Sequence, residues 1–240
     1  MAVNAGFPQI LSFGPDGYGD ELAWGLLTTL EISVFAYGIG LMIGGVGAVS
    51  KLTGSRLTRI LFEAYTTLVR AVPELVLILL LYYAGTAALN TLLDKIGVGP
   101  TAINGFAAAV CVLGFVQGAY STEVLRAAIQ AIPVGQLEAA KAYGMSPALG
   151  FRRITLPALL PFAIPGLANL WLIVTKGSAL IAVVGYTELN LATRQAAGNT
   201  KMYFAFFVVA FVLYLSISLL SQKGFKMLEA KVRVGQKRAG

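Results

Sequence analysis

The chain has 240 residues, 57% of them hydrophobic and only 12% charged, with a mean hydropathy of +0.77. Soluble domains carry about 25% charged residues, so this composition excludes a soluble globular protein and describes an integral membrane one. The formal net charge is +7, but Lys and Arg punctuate apolar runs instead of forming one basic face, which excludes a nucleic-acid partner. With no His and a single Cys111, the chain offers neither a disulfide framework nor a soft-metal site. Cys111 lies inside an apolar run and is read as a packing residue.

In chain order, residues 1–20 contain no Lys or Arg, which argues against a signal peptide. Residues 1–21 are expected to form an N-terminal extracytoplasmic segment. The first apolar run, 22–49, is long enough to cross about 30 Å of hydrocarbon. Its second half carries Gly38, Gly40, Gly44, Gly45 and Gly47, small residues that permit close helix contact. Glu31 within this span is expected to face protein. After Lys51, Arg56 and Arg59 a second run extends over 60–93, interrupted by Arg70-Ala-Val-Pro73-Glu74, which predicts a tilted or kinked helix. Asp94, Lys95, Gly97, Gly99 and Pro100 form a connection to a third span over 102–124.

A polar, helix-forming island follows, from Glu138 to Pro157. Glu138 to Tyr143 are good helix formers, and Gly144 suits a left-handed exit. Ser146 can cap a second helix with Pro147 at its first position, and Pro157 closes the motif. The island therefore reads as helix, glycine elbow, helix. Beyond it Pro157, Pro161 and Pro165 punctuate a fourth span that breaks at Lys176-Gly-Ser, with a short re-entrant or pore-lining helix over 178–184. The last span covers 203–220 and leads into a basic tail, 223–240. Five crossings give an all-α membrane domain over 22–222. Placing residues 126–153, the 51–59 connection and the tail in the cytoplasm collects thirteen of the eighteen Lys and Arg there, with the N-terminus outside.

The island carries a resemblance. Glu138, Ala139, Ala140, Gly144, Ile154, Leu156 and Pro157, at this spacing, resemble the cytoplasmic loop of binding-protein-dependent ABC importer permeases. The resemblance implies a type I (MetI-like) fold whose coupling helices, within 133–157, dock on a separate ATPase. The stretch Phe62 to Leu77 resembles the second-helix signature of polar amino acid permeases, and is most similar to the Q-type subunits of histidine/lysine/arginine/ornithine and opine importers. Ala71 departs from it, where relatives usually have Gly. Gly118 to Arg126, and Asn169, Lys176 and Ser178, resemble further stretches of the same family.

The residues expected to line the path are Arg70, Glu74, Glu123, Lys176 and Ser178. Charges at membrane depth mark a protein interior or a pathway, and Glu74 would attract a cationic substrate side chain. Arg70 and Glu74 can instead neutralise each other at a helix kink, and Glu123 with Arg126 reads as an interfacial ion pair before a substrate contact. Trp24 and Trp171 read as packing or interface anchors. No Gly-x-x-x-x-Gly-Lys-Ser/Thr loop is present, so the chain is expected to bind no cofactor, to hold no metal and to catalyse nothing. The resemblance implies ATP and Mg at two partner ATP-binding subunits and a second permease subunit, identical or related. It also implies a periplasmic or lipid-anchored substrate-binding protein and an amino acid substrate, histidine, arginine, lysine, ornithine or an opine. The expected location is the bacterial inner membrane, in contact with lipid. The alternatives are an ion-driven secondary transporter and a scaffold that only recruits the ATPase.

Overall fold

The computed structural model describes residues 10–14, 17–97 and 104–233. Most of the expected N-terminal segment, Gly99 and Pro100, the start of the third span at Ala102, and Lys237 and Arg238 lie outside these. Among the described residues every regular element is helical, and five helices are long and apolar enough to cross a membrane.

Helix α1, Gly19–Thr53, packs along α4, Gly105–Gln130. Three of the five glycines in its second half form the seam. A Cβ on Gly40 would fall on Gln117, one on Gly44 on Ser121, and one on Gly47 on Thr122, whereas Gly38 and Gly45 face open space. From the other side Gly114 meets Ala36 and Ile39, and Gly118 meets Ile43. Absent side chains thus let the two backbones approach closely. The seam also fixes the rotation of α1. Glu31, nine residues before Gly40, lies about 180° away at about 100° per residue and is exposed, so within this chain it does not face protein as expected.

The second apolar run is not one kinked helix but two. Helix α2, Arg56–Ala71, starts at Ser55, whose hydroxyl accepts from the Thr58 N–H at 3.3 Å. Pro73 disfavours helical dihedrals at the residue before it, and Val72 is extended at φ −98°, ψ 140°. Helix α3, Glu74–Lys95, then begins afresh and is the membrane-length one of the two. Both climb the same side of α4: Tyr65 packs on Phe115, Leu77 against Val116 and Ala119, and Tyr82 shares a recess with Ala107 and Ala108. Cys111, expected to be buried in packing, is exposed and lines that same recess.

After α4 come α5, Val134–Ala142, and the single turn α6, Pro147–Gly150. A wide π turn, Phe151–Thr155, then runs straight into α7, Leu156–Gly177. Pro157 does not close the second arm, as the sequence suggested. It falls in the first turn of α7, where a missing N–H is tolerated. A 3₁₀ turn, Ser178–Val184, ends at Gly185 with φ +85°. Helix α8, Leu189–Thr200, was not anticipated; apart from Leu189 its buried face is small (Ala192, Thr193, Ala196, Ala197) and gives no apolar run. Helix α9, Tyr203–Arg233, continues well past the expected end of the last span.

Ile32, Ala36, Ile78, Val112, Leu113, Val174 and Ile181 form the main core where α1, α3, α4, α7 and the 3₁₀ turn converge. Gly44→Ala is expected to lower the melting temperature of the purified protein, because overpacking costs about 1–3 kcal/mol. Gly45→Ala, one residue on, should leave it unchanged or raise it, since an open helical Gly costs roughly 0.5–1 kcal/mol relative to Ala. Equal melting temperatures for the two variants would show that the seam does not hold the helices.

Candidate functional site

The hairpin α5–α6 is built by local turn chemistry. The Tyr143 N–H donates to the Ala139 carbonyl at 3.0 Å and the Met145 N–H to the Ala140 carbonyl at 3.1 Å. Gly144 between them sits at φ +67°, so the helix ends in a left-handed glycine stop. Ser146 then caps α6, its hydroxyl accepting from the Leu149 N–H at 3.4 Å, with Pro147 at the first position. Ala140 is the buried member of the motif, facing Gly150 on the other arm. Glu138, Ala139, Gly144, Leu156 and Pro157 are exposed and Ile154 is half-buried. Val134, Leu149, Phe151 and Tyr143, the last 84% exposed, add apolar surface. At its base the hairpin is anchored by Ala128, Ile132, Leu159 and Ala163, which join the end of α4 to the start of α7, with Leu137 of α5 packed on them.

Glu123 lies one turn before that anchor. Its Oε2 accepts from Arg126 Nε at 3.0 Å and Nη2 at 2.8 Å, and its Oε1 from Lys51 Nζ at 2.5 Å. Lys51 also pairs with Glu63 at 2.7 Å and donates to Thr66 Oγ1 at 2.8 Å. The end of α1, the middle of α2 and α4 are therefore locked by one lysine that is 8% exposed. A buried charge persists only when paired and hydrogen-bonded. The sequence singled out Glu123 and Arg126 but not Lys51 as their partner, because Glu63 and Glu123 reach it only through tertiary packing.

The remaining candidates separate. Arg70, at the end of α2, is exposed and forms no ion pair with Glu74 among the described residues. The extended Val72 breaks the single helix that an i, i+4 pair requires. Glu74 is half-buried at the start of α3, its carboxylate directly over Gly177. Glu74 is thus brought beside the Lys176–Ser178 break. Lys176 is exposed, while Ser178 is buried and donates to the Thr175 carbonyl at 2.8 Å. Trp24 is exposed, and Trp171 stacks edge-on against Tyr37 and donates to Ser221 Oγ at 2.9 Å.

A second polar knot, unforeseen, lies at the other end. Glu188 is fully buried and caps α8, accepting from the Asn190 and Leu191 N–H groups, both at 2.9 Å. Tyr214 Oη donates to it at 3.1 Å and Thr29 Oγ1 at 3.3 Å. It thereby ties α8 to α1 and α9. Burial pushes its carboxyl pKa upward, and these four hydrogen bonds pull it partly back. The only sequence signal was an acid directly before a helical stretch and after a Gly elbow. Glu188→Ala is expected to cost about 2–4 kcal/mol, from a lost cap and stranded buried hydroxyls. The readout is thermal unfolding of the purified protein; a variant as stable as wild type would remove the knot's structural role.

Apolar helices of membrane length, a polar hairpin continuous with one of them, and ionisable groups drawn into the helical bundle define a multi-pass membrane permease subunit. Residues 36–234 match the family described as binding-protein-dependent transport system inner membrane components, and the chain belongs to that family. It is 40% identical over 223 residues to the histidine/lysine/arginine/ornithine transport system permease protein HisQ of Escherichia coli, covering 93% of this chain and 98% of that one. It is 40% identical over 226 residues to the nopaline transport system permease protein NocQ of Agrobacterium fabrum, covering 92% and 94%. Its fold matches a crystal structure of an amino acid ABC transporter with histidines at a TM-score of 0.74 and 28% identity, over 89% of this chain and 95% of that one. The fold is that of ABC importer permeases.

Proposed function

We propose that this chain forms half of the translocation path of an ATP-driven, binding-protein-dependent importer of cationic amino acids or opines. The hairpin 138–157 is the seat of a separate ATPase subunit that carries ATP and Mg. The observation that carries the coupling half is the hairpin itself: a glycine-stopped turn with exposed Tyr143, Leu149 and Phe151, running through the π turn into α7 without a loop. Closure of the ATPases would move the hairpin and, through α7, the path-lining 3₁₀ turn, switching inward- and outward-facing forms. The complete importer holds a second permease subunit, two ATPase subunits and a substrate-binding protein on the outer face. The N-terminus lies outside and the C-terminus in the cytoplasm, as the distribution of Lys and Arg favours.

Substrate class rests on Glu74. Leu77, one turn on, packs against Val116 and Ala119 of the middle of α4, so the carboxylate, beside Gly177, lies near the depth of mid-α4, where it attracts ammonium or guanidinium groups. The names of the relatives HisQ and NocQ, a cationic amino acid system and an opine system, support the same class. An ion-driven secondary transporter, with Glu31, Glu74 or Glu123 as ion sites, is disfavoured by the match of 36–234 to binding-protein-dependent transport components, and Glu123 is moreover saturated by Lys51 and Arg126.

Two proteoliposome experiments with the full set of subunits test these points. Gly144→Val forces a β-branched residue into the left-handed region at a cost of about 1–3 kcal/mol. ATP-dependent uptake should fall at least tenfold while the complex still assembles; undiminished uptake would reduce the hairpin to a connector. Glu74→Leu should raise the KM for arginine and histidine at least tenfold (about 1.4 kcal/mol) with substrate-independent ATP hydrolysis unchanged. Unaltered KM values would remove Glu74 from substrate selection.

A further inference from the structure

We infer that the far end of α9 is a binding site for the headgroup of an anionic phospholipid, built on Lys223 and Lys226. From Tyr203 to Leu220 the helix contains no charged residue. At about 1.5 Å per residue, Lys223 stands about 30 Å along the axis from Tyr203, the thickness of the hydrocarbon core. Tyr203 and Phe204 are exposed at the opposite end, just after Lys201, and suit the aromatic belt of the other interface. With that end fixed, Lys223 and Lys226 arrive at headgroup depth while the helix continues unbroken to Arg233.

The two lysines are three residues apart and share one face. Together with Leu219, Gln222, Met227 and Ala230 they line a shallow recess of about 410 Å³. Leu219 and Met227 are both more than half exposed, so the recess offers ammonium groups beside apolar surface, which matches a phosphate joined to acyl chains. The nearest acid on the helix, Glu229, is already taken by Arg233 at 3.0 Å. Neither Lys223 nor Lys226 forms an ion pair among the described residues. In sequence six basic residues and one acid follow the apolar run, and clusters of four to eight Lys/Arg beside a membrane span favour anionic lipid. The inference depends on α9 crossing the membrane and not on what the protein transports.

The test titrates the purified protein in detergent with phosphatidylglycerol or phosphatidylethanolamine of identical acyl chains, counting bound lipid by native mass spectrometry. Two lysines at the surface should favour phosphatidylglycerol about thirtyfold. Lys223→Gln/Lys226→Gln should bring the two lipids to within about threefold, each single variant losing about fivefold. Lys201→Gln, at the other end of α9, should keep the full preference. Equal binding of both lipids by the wild type, or a preference that survives the double substitution, would overturn the inference. Loss of phosphatidylglycerol binding to an equal concentration of inorganic phosphate would do so too, since the site would then be one for free phosphate.

Discussion

The close approach of α1 and α4 is the constraint on which the remaining packing depends. Gly40, Gly44 and Gly47 bring the two backbones together against Gln117, Ser121 and Thr122. Lipid tails are as apolar as leucine, so in a bilayer such helix pairing comes from packing and hydrogen bonds instead of water exclusion. One polar knot closes an end of this pair, and the other hangs two further helices on α1. Lys51 joins the end of α1 to Glu63 of α2 and Glu123 of α4. Thr29, nearer the start of α1, reaches Glu188 and so secures α8 and α9. Other elements attach to the pair individually: Tyr37 donates to the Leu167 carbonyl of α7 at 3.0 Å, and Val124 fills the space over Gly166.

The elements differ in how much of themselves they bury within this chain. Helix α3 buries only Leu77 and Ile78 among its 22 residues, and the extended Val72 before Pro73 separates it from α2. The hairpin is the reverse case. It is seated on the joint between α4 and α7, so force applied to it reaches the spans through packed side chains.

Local chemistry was legible in the sequence and long-range chemistry was not. The hairpin could be read because Gly144, Ser146 and Pro147 specify a stop and a cap within four residues. The family reading rested on Gly144 and its spacing to Glu138, Ala139, Ala140, Ile154, Leu156 and Pro157, and the matched family covers residues 36–234. Pro73 was recognised as a disturbance but not as a full break, since a kink and a break differ only in whether Val72 can remain helical. Glu31 was misjudged because the rotation of a helix is set by its partner, and the glycine seam turns that position away. Lys51 looked like a boundary charge until Glu63 and Glu123, 12 and 72 residues distant, were folded onto it. Helix α8 escaped notice because, Leu189 apart, its buried side is alanine and threonine, which leaves only a weak apolar stripe.

The π turn at Phe151–Thr155 sets the phase between the hairpin and the span. Its Leu156 N–H bonds to the Phe151 carbonyl, five residues back, so the helix has in effect taken in one extra residue. Each residue added to or removed from an α-helix rotates everything beyond it by about 100°. The direction in which Leu149 and Tyr143 point, relative to α7, is therefore a matter of counting. A single-residue deletion between 151 and 155 would remove that extra residue, restore a regular helix and leave the apolar face of the hairpin in its present phase, whereas a deletion from the regular turns of α7 would swing that face aside. The wide turn is thus a place where the loss of one residue can be absorbed, as the regular turns of α7 cannot.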